Sequence, residues 1–130
     1  MKILIVEDDV DSGEALMQLL DDLGHEVRLV HCPTLAVAAV AAFVPEVAIL
    51  DIGLPRISGY ELLDRLRRIP ALDSCRYFAV TAYAGTDLAQ RSAEAGFEYH
   101  LTKPLRVGRL LECLGSRSAV SRSAVMAAAG

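Results

Sequence analysis

The chain has few cysteines, no long hydrophobic run and no surplus of positive charge, and each shortage removes a class of function. Cys32, Cys75 and Cys113 are odd in number, widely spaced and free of any CxxC pair. Neither a disulfide framework nor a zinc site is expected, and idle thiols in a reducing cytosol are the simpler reading. The longest apolar stretch, Leu35 to Val44, stops at Pro45-Glu46 and is too short to span a bilayer. Only a short apolar run precedes the acids Glu7-Asp8-Asp9, which does not read as a signal peptide. The expectation is a soluble cytoplasmic protein with no membrane partner. Lys and Arg total 13 against 17 Asp and Glu, a formal charge of −4. Only Arg67-Arg68 are adjacent, so no basic stripe invites nucleic acid.

What is present is a globular composition. The 130 residues are 53% apolar and 23% charged, enough for one domain with its own core. Four short apolar runs each end in a polar residue suited to phosphate chemistry: Ile3-Leu4-Ile5-Val6 before Glu7-Asp8-Asp9, Val47-Ala48-Ile49-Leu50 before Asp51, Phe78-Ala79-Val80 before Thr81, and Tyr99-His100-Leu101 before Thr102-Lys103-Pro104. Continuous apolar runs of this length suit parallel strands buried on both faces.

Helical patterns lie between the runs. Leu16, Leu19, Leu20 and Leu23 recur at helical spacing before Gly24. A short strand is expected over Val27–Val30, and Pro33-Thr34 opens a helix that Pro45 should end. Ser58-Gly59-Tyr60-Glu61 has the Ser-x-x-Glu form of a capping box, and Leu62, Leu63, Leu66 and Ile69 share the face of the helix that Pro70 ends. A helix through Ala95 closes at Gly96, and a final helix carries Val107, Leu110, Leu111 and Leu114. This fivefold β-α alternation predicts an α/β fold with a doubly wound parallel sheet. The end is different. Ser116-Arg117-Ser118-Ala119-Val120 repeats at once as Ser121-Arg122-Ser123-Ala124-Val125, and a flexible tail over 117–130 is expected.

Ligands of open α/β sheets bind beyond the carboxyl ends of the strands, so the acids, the hydroxyl and the lysine should meet at one rim. Glu7, Asp8 and Asp51 would bring three carboxylates together. Two unit charges about 4 Å apart repel by roughly 4 kcal/mol at an effective dielectric of about 20, so such a cluster raises a pKa or recruits a cation. Oxygen ligands of this kind suit Mg²⁺. Asp51 could then attack phosphorus, with Lys103 offsetting charge on the phosphoryl oxygens and the Thr81 hydroxyl bonding them. Taken singly, each residue has a plainer role: Asp9 or Asp11 favours a helix start, Asp51 precedes a turn, Thr81 ends a strand, and Lys103 is solvated. Their joint placement at successive strand ends is hard to explain by solvation.

In these segments, together with Asp51-Ile52-Gly53-Leu54-Pro55, Ser58-Gly59, Val80-Thr81-Ala82 and Lys103-Pro104, the chain resembles a response-regulator receiver domain over about residues 1–116. The resemblance implies a flavodoxin-like (βα)5 sheet of order 2-1-3-4-5. It makes Asp51 the phosphorylation site of a two-component or phosphorelay system, charged from a histidine kinase or histidine phosphotransferase. It assigns Mg²⁺ to Asp8 and Asp51 by side chain, Gly53 by its carbonyl and Glu7 through water. Lys103 would contact the phosphoryl group across a cis Lys103-Pro104 bond, with Ala82 leaving room. Such a domain is not an enzyme beyond its own phosphorylation and dephosphorylation, and it signals to a downstream protein that the sequence does not name. Gly53 and Tyr83 occupy positions that tune dephosphorylation in this family.

One position departs from the family. Three residues before the lysine, where receivers usually carry Tyr or Phe that moves with the threonine, stands His100. Thr81 and His100 are the switch candidates, and the histidine introduces a titratable ring. The stretch Gly96 to Pro104 resembles receivers attached to hybrid histidine kinases. His25 and His31 have no partner at ligand spacing, so surface or half-buried roles are expected. Two other readings stay open. A pseudo-receiver, binding without phosphorylation, is favoured only by His100. A dehalogenase-like phosphatase would carry its nucleophile after the first strand in an Asp-x-Asp pattern; here that strand ends in Glu7-Asp8-Asp9, Gly53 replaces the second acid after Asp51, and no cap domain is expected. Residues 117–130 carry no helix-turn-helix or catalytic pattern, so no effector domain is expected in them.

Overall fold

The computed structural model describes residues 1–53, 57–82 and 86–115, with the side chains of residues 86 and 87 excepted. The expectations for Leu54, Pro55, Tyr83 and the tail lie outside the described residues. Strand and helix alternate: β1 (Lys2–Val6), α1 (Val10–Asp22), β2 (Glu26–Val30), α2 (Pro33–Ala39), β3 (Val47–Asp51), α3 (Gly59–Arg67), β4 (Arg76–Thr81), α4 (Thr86–Ala95), β5 (Tyr99–Thr102) and α5 (Val107–Gly115). A 3₁₀ turn, Pro70–Leu72, precedes β4. The strands form one parallel sheet in the order β2-β1-β3-β4-β5.

The alternation of side chains along each strand divides the core in two. Leu4 and Val6 of β1 face a cluster with Ala36, Val40, Phe43, Leu62, Leu63 and Leu66. Ile3 and Ile5 face the other way, onto Leu20, Leu110, Cys113 and Leu114. Helices α2 and α3 thus cover one face, and α1 and α5 the other. Strand β3 is buried along its whole length, as expected for a central strand covered on both sides.

The local signals act as their chemistry suggests. The Asp9 carboxylate caps α1 by accepting from the Ser12 N–H, and Ser58 caps α3 by accepting from the Glu61 N–H. Gly24 and Gly96 take positive φ of 92° and 115° after α1 and α4, where a side chain would be strained. Helix α2 is shorter than expected. It ends at Ala39 rather than running to Pro45, because the chain tightens into turns in which Ala41 and Ala42 donate to the Ala38 and Ala39 carbonyls. Val40 and Phe43 are both buried as a result. Helix α3 stops at Arg67, Ile69 before Pro70 is already extended, and Pro70, which ends the helix as expected, also opens the 3₁₀ turn.

Parallel pairing sets the rim. Val6 stands opposite Val30 and Leu50, Asp51 opposite Val80, and Thr81 opposite Thr102. The residues that follow these strands therefore emerge side by side at the carboxyl edge.

Candidate functional site

Lys103 follows β5 and reaches back across the rim. Its Nζ donates to Glu7 Oε1 at 2.8 Å and to Asp51 Oδ2 at 3.0 Å, joining residues 96 and 52 positions away in the chain. One carboxylate oxygen each from Glu7, Asp8 and Asp51 lies within 4.8 Å of the others. Glu7 and Asp51 are buried, with exposures of 6% and 7%, and Asp8 is exposed. The site thus has a dry floor and one wet carboxylate at its mouth.

The surrounding backbone fixes the floor. The Gly53 N–H donates to Asp51 Oδ1 at 2.8 Å, and the Ile52 N–H donates to the Val80 carbonyl at 2.9 Å. The Asp9 N–H donates to Glu7 Oε1 at 3.3 Å. Thr81 is buried at the end of β4, and its carbonyl accepts from the Lys103 N–H at 2.8 Å. The Lys103-Pro104 peptide is cis, as the resemblance implied.

Charge is not balanced here. Burial raises the pKa of Glu7, and Asp51 adds to that; the Lys103 hydrogen bond opposes the rise without cancelling it. Burial works against the charge on Lys103, but the bonds from Glu7 and Asp51 together hold its pKa above the ordinary value. One ammonium thus faces three carboxylates. The remaining negative charge and the oxygen donors fit a hard divalent cation.

The structure brings Glu7, Asp8, Asp51 and Lys103 together and places Thr81 at the same rim. His100 does not reach them: its Nδ1 stands 2.8 Å from Ser92 Oγ on α4. Two contributors were missed from the sequence. The His31 ring donates from Nδ1 to the Glu7 carbonyl at 2.9 Å, a role readable from its place after β2, beside β1. Gly59 is the other. A Cβ there would lie 2.7 Å from the Asp51 carbonyl oxygen and 2.7 Å from the Ile52 Cα, so α3 starts against the strand that carries Asp51 only because this residue has no side chain. Burial pushes the Cys75 thiol up to about 12 and also raises that of Cys113, which disfavours the thiolate at both. Beside the site, a groove of about 480 Å³ runs between α1 and α5, lined by Ala15, Leu16, Leu19, Pro104, Leu105 and Val107.

A doubly wound sheet with an acidic cluster and a bridging lysine at its carboxyl rim defines a class of phosphate-handling α/β domains. Within that class the assignment is specific: the chain matches the response regulator receiver domain family over residues 3–115 and belongs to it. It is 35% identical over 130 residues to the virulence sensor protein BvgS of Bordetella pertussis, covering 96% of this chain and 10% of that protein. It is 31% identical over 111 residues to response regulator MprA of Mycobacterium avium, covering 85% of this chain and 48% of that protein. The chain thus spans about half of one relative and a tenth of the other. Among solved structures, the receiver domain of a DNA-binding response regulator from Colwellia psychrerythraea superposes with a TM-score of 0.82 at 26% identity, covering 88% of this chain and 95% of that one. A response regulator from Chloroflexus aurantiacus gives 0.80 at 30%, with 87% and 93% covered. Among the described residues, no helix is long and apolar enough to cross a membrane.

Proposed function

We propose that Asp51 is the phosphoacceptor of a two-component or phosphorelay system and takes its phosphoryl group from a phosphohistidine. The single observation that carries this reading is the bridge from Lys103 to both Glu7 and Asp51, with Asp8 completing the acidic cluster. An Asp51 oxygen attacks phosphorus, the P–N bond to the donor imidazole breaks, and the imidazole keeps the electron pair and takes up a proton. Lys103 is placed to follow charge onto the phosphoryl oxygens, and the Gly53 N–H holds the other Asp51 oxygen so that the nucleophile keeps its orientation. Asp8, Asp51, the Gly53 carbonyl and, through water, Glu7 would hold Mg²⁺. Bound there, the ion would offset charge on the transferring group. Thr81 would bond the phosphoryl oxygens, and with His100 it would form the switch.

The donor would be a histidine kinase or histidine phosphotransferase, and the groove between α1 and α5 opens beside Asp51 for its approach. We read residues 1–116 as the signalling unit, 117–130 as a tail, and the setting as cytoplasmic, with output to a downstream protein rather than to nucleic acid. His100 favours a second reading, a pseudo-receiver that binds without phosphorylation; Mg²⁺ titration separates the two, because a pseudo-receiver binds the ion weakly or not at all. Incubation with Mg²⁺ and acetyl phosphate should add one phosphoryl mass to the intact protein, and Asp51→Asn should abolish the gain. No gain, or a gain that survives that substitution, would contradict the assignment.

A further inference from the structure

Ser92 on α4 has no solvent exposure. Its Oγ lies 2.8 Å from His100 Nδ1 on β5 and 3.3 Å from the Tyr60 hydroxyl on α3. One buried hydroxyl therefore joins two helices and a strand. Tyr60 is itself held in place: its ring meets Phe97 edge-on at 6.0 Å, and the Arg91 guanidinium lies 4.7 Å over it.

The other side of the imidazole is unsettled. Among the described residues, His100 Nε2, shielded from solvent, has no hydrogen-bond partner. This holds for either tautomer. If Ser92 donates to Nδ1, the Nε2 proton has no acceptor; if Nδ1 donates to Ser92, the Nε2 lone pair has no donor. The net gain from one hydrogen bond and the cost of one orphaned buried polar atom are of the same order and opposite sign. A second ring position that gives up the Ser92 bond and frees Nε2 is therefore close in free energy. The ring is also mechanically near the rim. His100 pairs with Ala79, two residues before Thr81, and it stands three residues before Lys103, which directly follows β5. The bond to Ser92 occurs together with Lys103 bound to the Asp51 carboxylate.

We propose that Ser92 is a positioning residue whose hydrogen bond latches His100, and with it β5, onto α4 in the conformer where Lys103 pairs with the Asp51 carboxylate, and that the latch opens when an acyl-phosphate group occupies Asp51. The proposal rests on the phosphoacceptor reading above and names the contact through which that site reaches α4.

The test is binding of beryllofluoride, an acyl-phosphate mimic, in the presence of Mg²⁺. Removing a bond made only in the latched conformer should tighten binding about fivefold in Ser92→Ala, the equivalent of about 1 kcal/mol. Ser92→Thr, which keeps the hydroxyl, should bind like the unaltered protein. Tyr60→Phe removes only the far end of the chain and should change affinity less than about twofold. On a His100→Phe background, Ser92→Ala should have no effect, because its partner is gone. Unchanged or weaker binding in Ser92→Ala, or the same fivefold effect on the His100→Phe background, would overturn the latch. If Ser92→Ala does not fold, the imidazole ¹⁵N spectrum of the unaltered protein decides. His100 should lose its serine-bonded signature when beryllofluoride binds, and an unchanged spectrum in the bound protein overturns the proposal. Failure of the unaltered protein to bind beryllofluoride is a different result, which defeats the phosphoacceptor reading and the latch with it.

Discussion

A half-buried cation stands at each end of the sheet, and the two are set in opposite ways. At the amino edge, Arg76 grips Glu98 through two bonds of 2.8 Å and also donates to the Cys113 and Leu114 carbonyls at the end of α5. Here a carboxylate takes two of the guanidinium bonds, and others go to backbone carbonyls. At the carboxyl rim, Lys103 alone meets Glu7 and Asp51, with Asp8 close by. Burying ions is costly at either end, and breaking a buried pair is costlier still. The amino edge uses its charges to fasten β4, β5 and α5. Among the described residues the rim keeps more carboxylates than cations, and on the proposed reading that excess is where a cation and a phosphoryl group would bind.

Four substitutions would break or sharpen this contrast. Arg76→Ala should lower stability by about 3–5 kcal/mol, because it breaks the buried ion pair with Glu98 and the bonds to the end of α5. Denaturant unfolding reads this, and the folded fraction should still take up phosphate from acetyl phosphate. Lys103→Ala should reverse that profile. It should slow phosphoryl uptake by roughly 10²–10³, the usual result of removing one group that stabilises developing charge, and quenched-flow mass measurements would show it. Ser58→Ala removes the α3 cap and should cost about 1 kcal/mol without changing the uptake rate per folded molecule.

The smallest effect is in pH. Burial lowers the pKa of His100 below its ordinary 6.5. The unfolded chain then binds this proton more readily than the folded one, so the residue's contribution is complete above pH 6.5 and is lost as pH falls from there toward the depressed folded value. Glu7 works in the other direction, since its raised pKa lets the metal-free fold gain stability as pH drops through that value. His100→Phe isolates the histidine's share. Its stability curve should be flatter than that of the unaltered protein just below pH 6.5.

The rim was legible in the sequence because its residues occupy the first positions after apolar runs, and the parallel register does the rest. Glu7, Asp51, Thr81 and Lys103 needed no knowledge of side-chain packing to be grouped. The amino edge was not legible, since Arg76 and Glu98 are 22 residues apart and neither belongs to a periodic pattern. Ser92 escaped for the same reason: a single serine in a helix carries no signal that its hydroxyl meets a tyrosine and a histidine from other elements. The end of α2 was misjudged because Pro45 is a local stop signal, whereas the turns at Ala41 and Ala42 that end the helix earlier go with the packing of Val40 and Phe43 into the core, a tertiary effect.

The most direct measurement is chemical capture of the phosphorylated carboxyl. Protein treated with Mg²⁺ and acetyl phosphate and then reduced with borohydride should carry homoserine at position 51, found by peptide mass spectrometry, and at no other acid. Homoserine at Asp8 or 5-hydroxynorvaline at Glu7 instead, or an unreduced Asp51 in protein that has gained phosphoryl mass, would contradict the account.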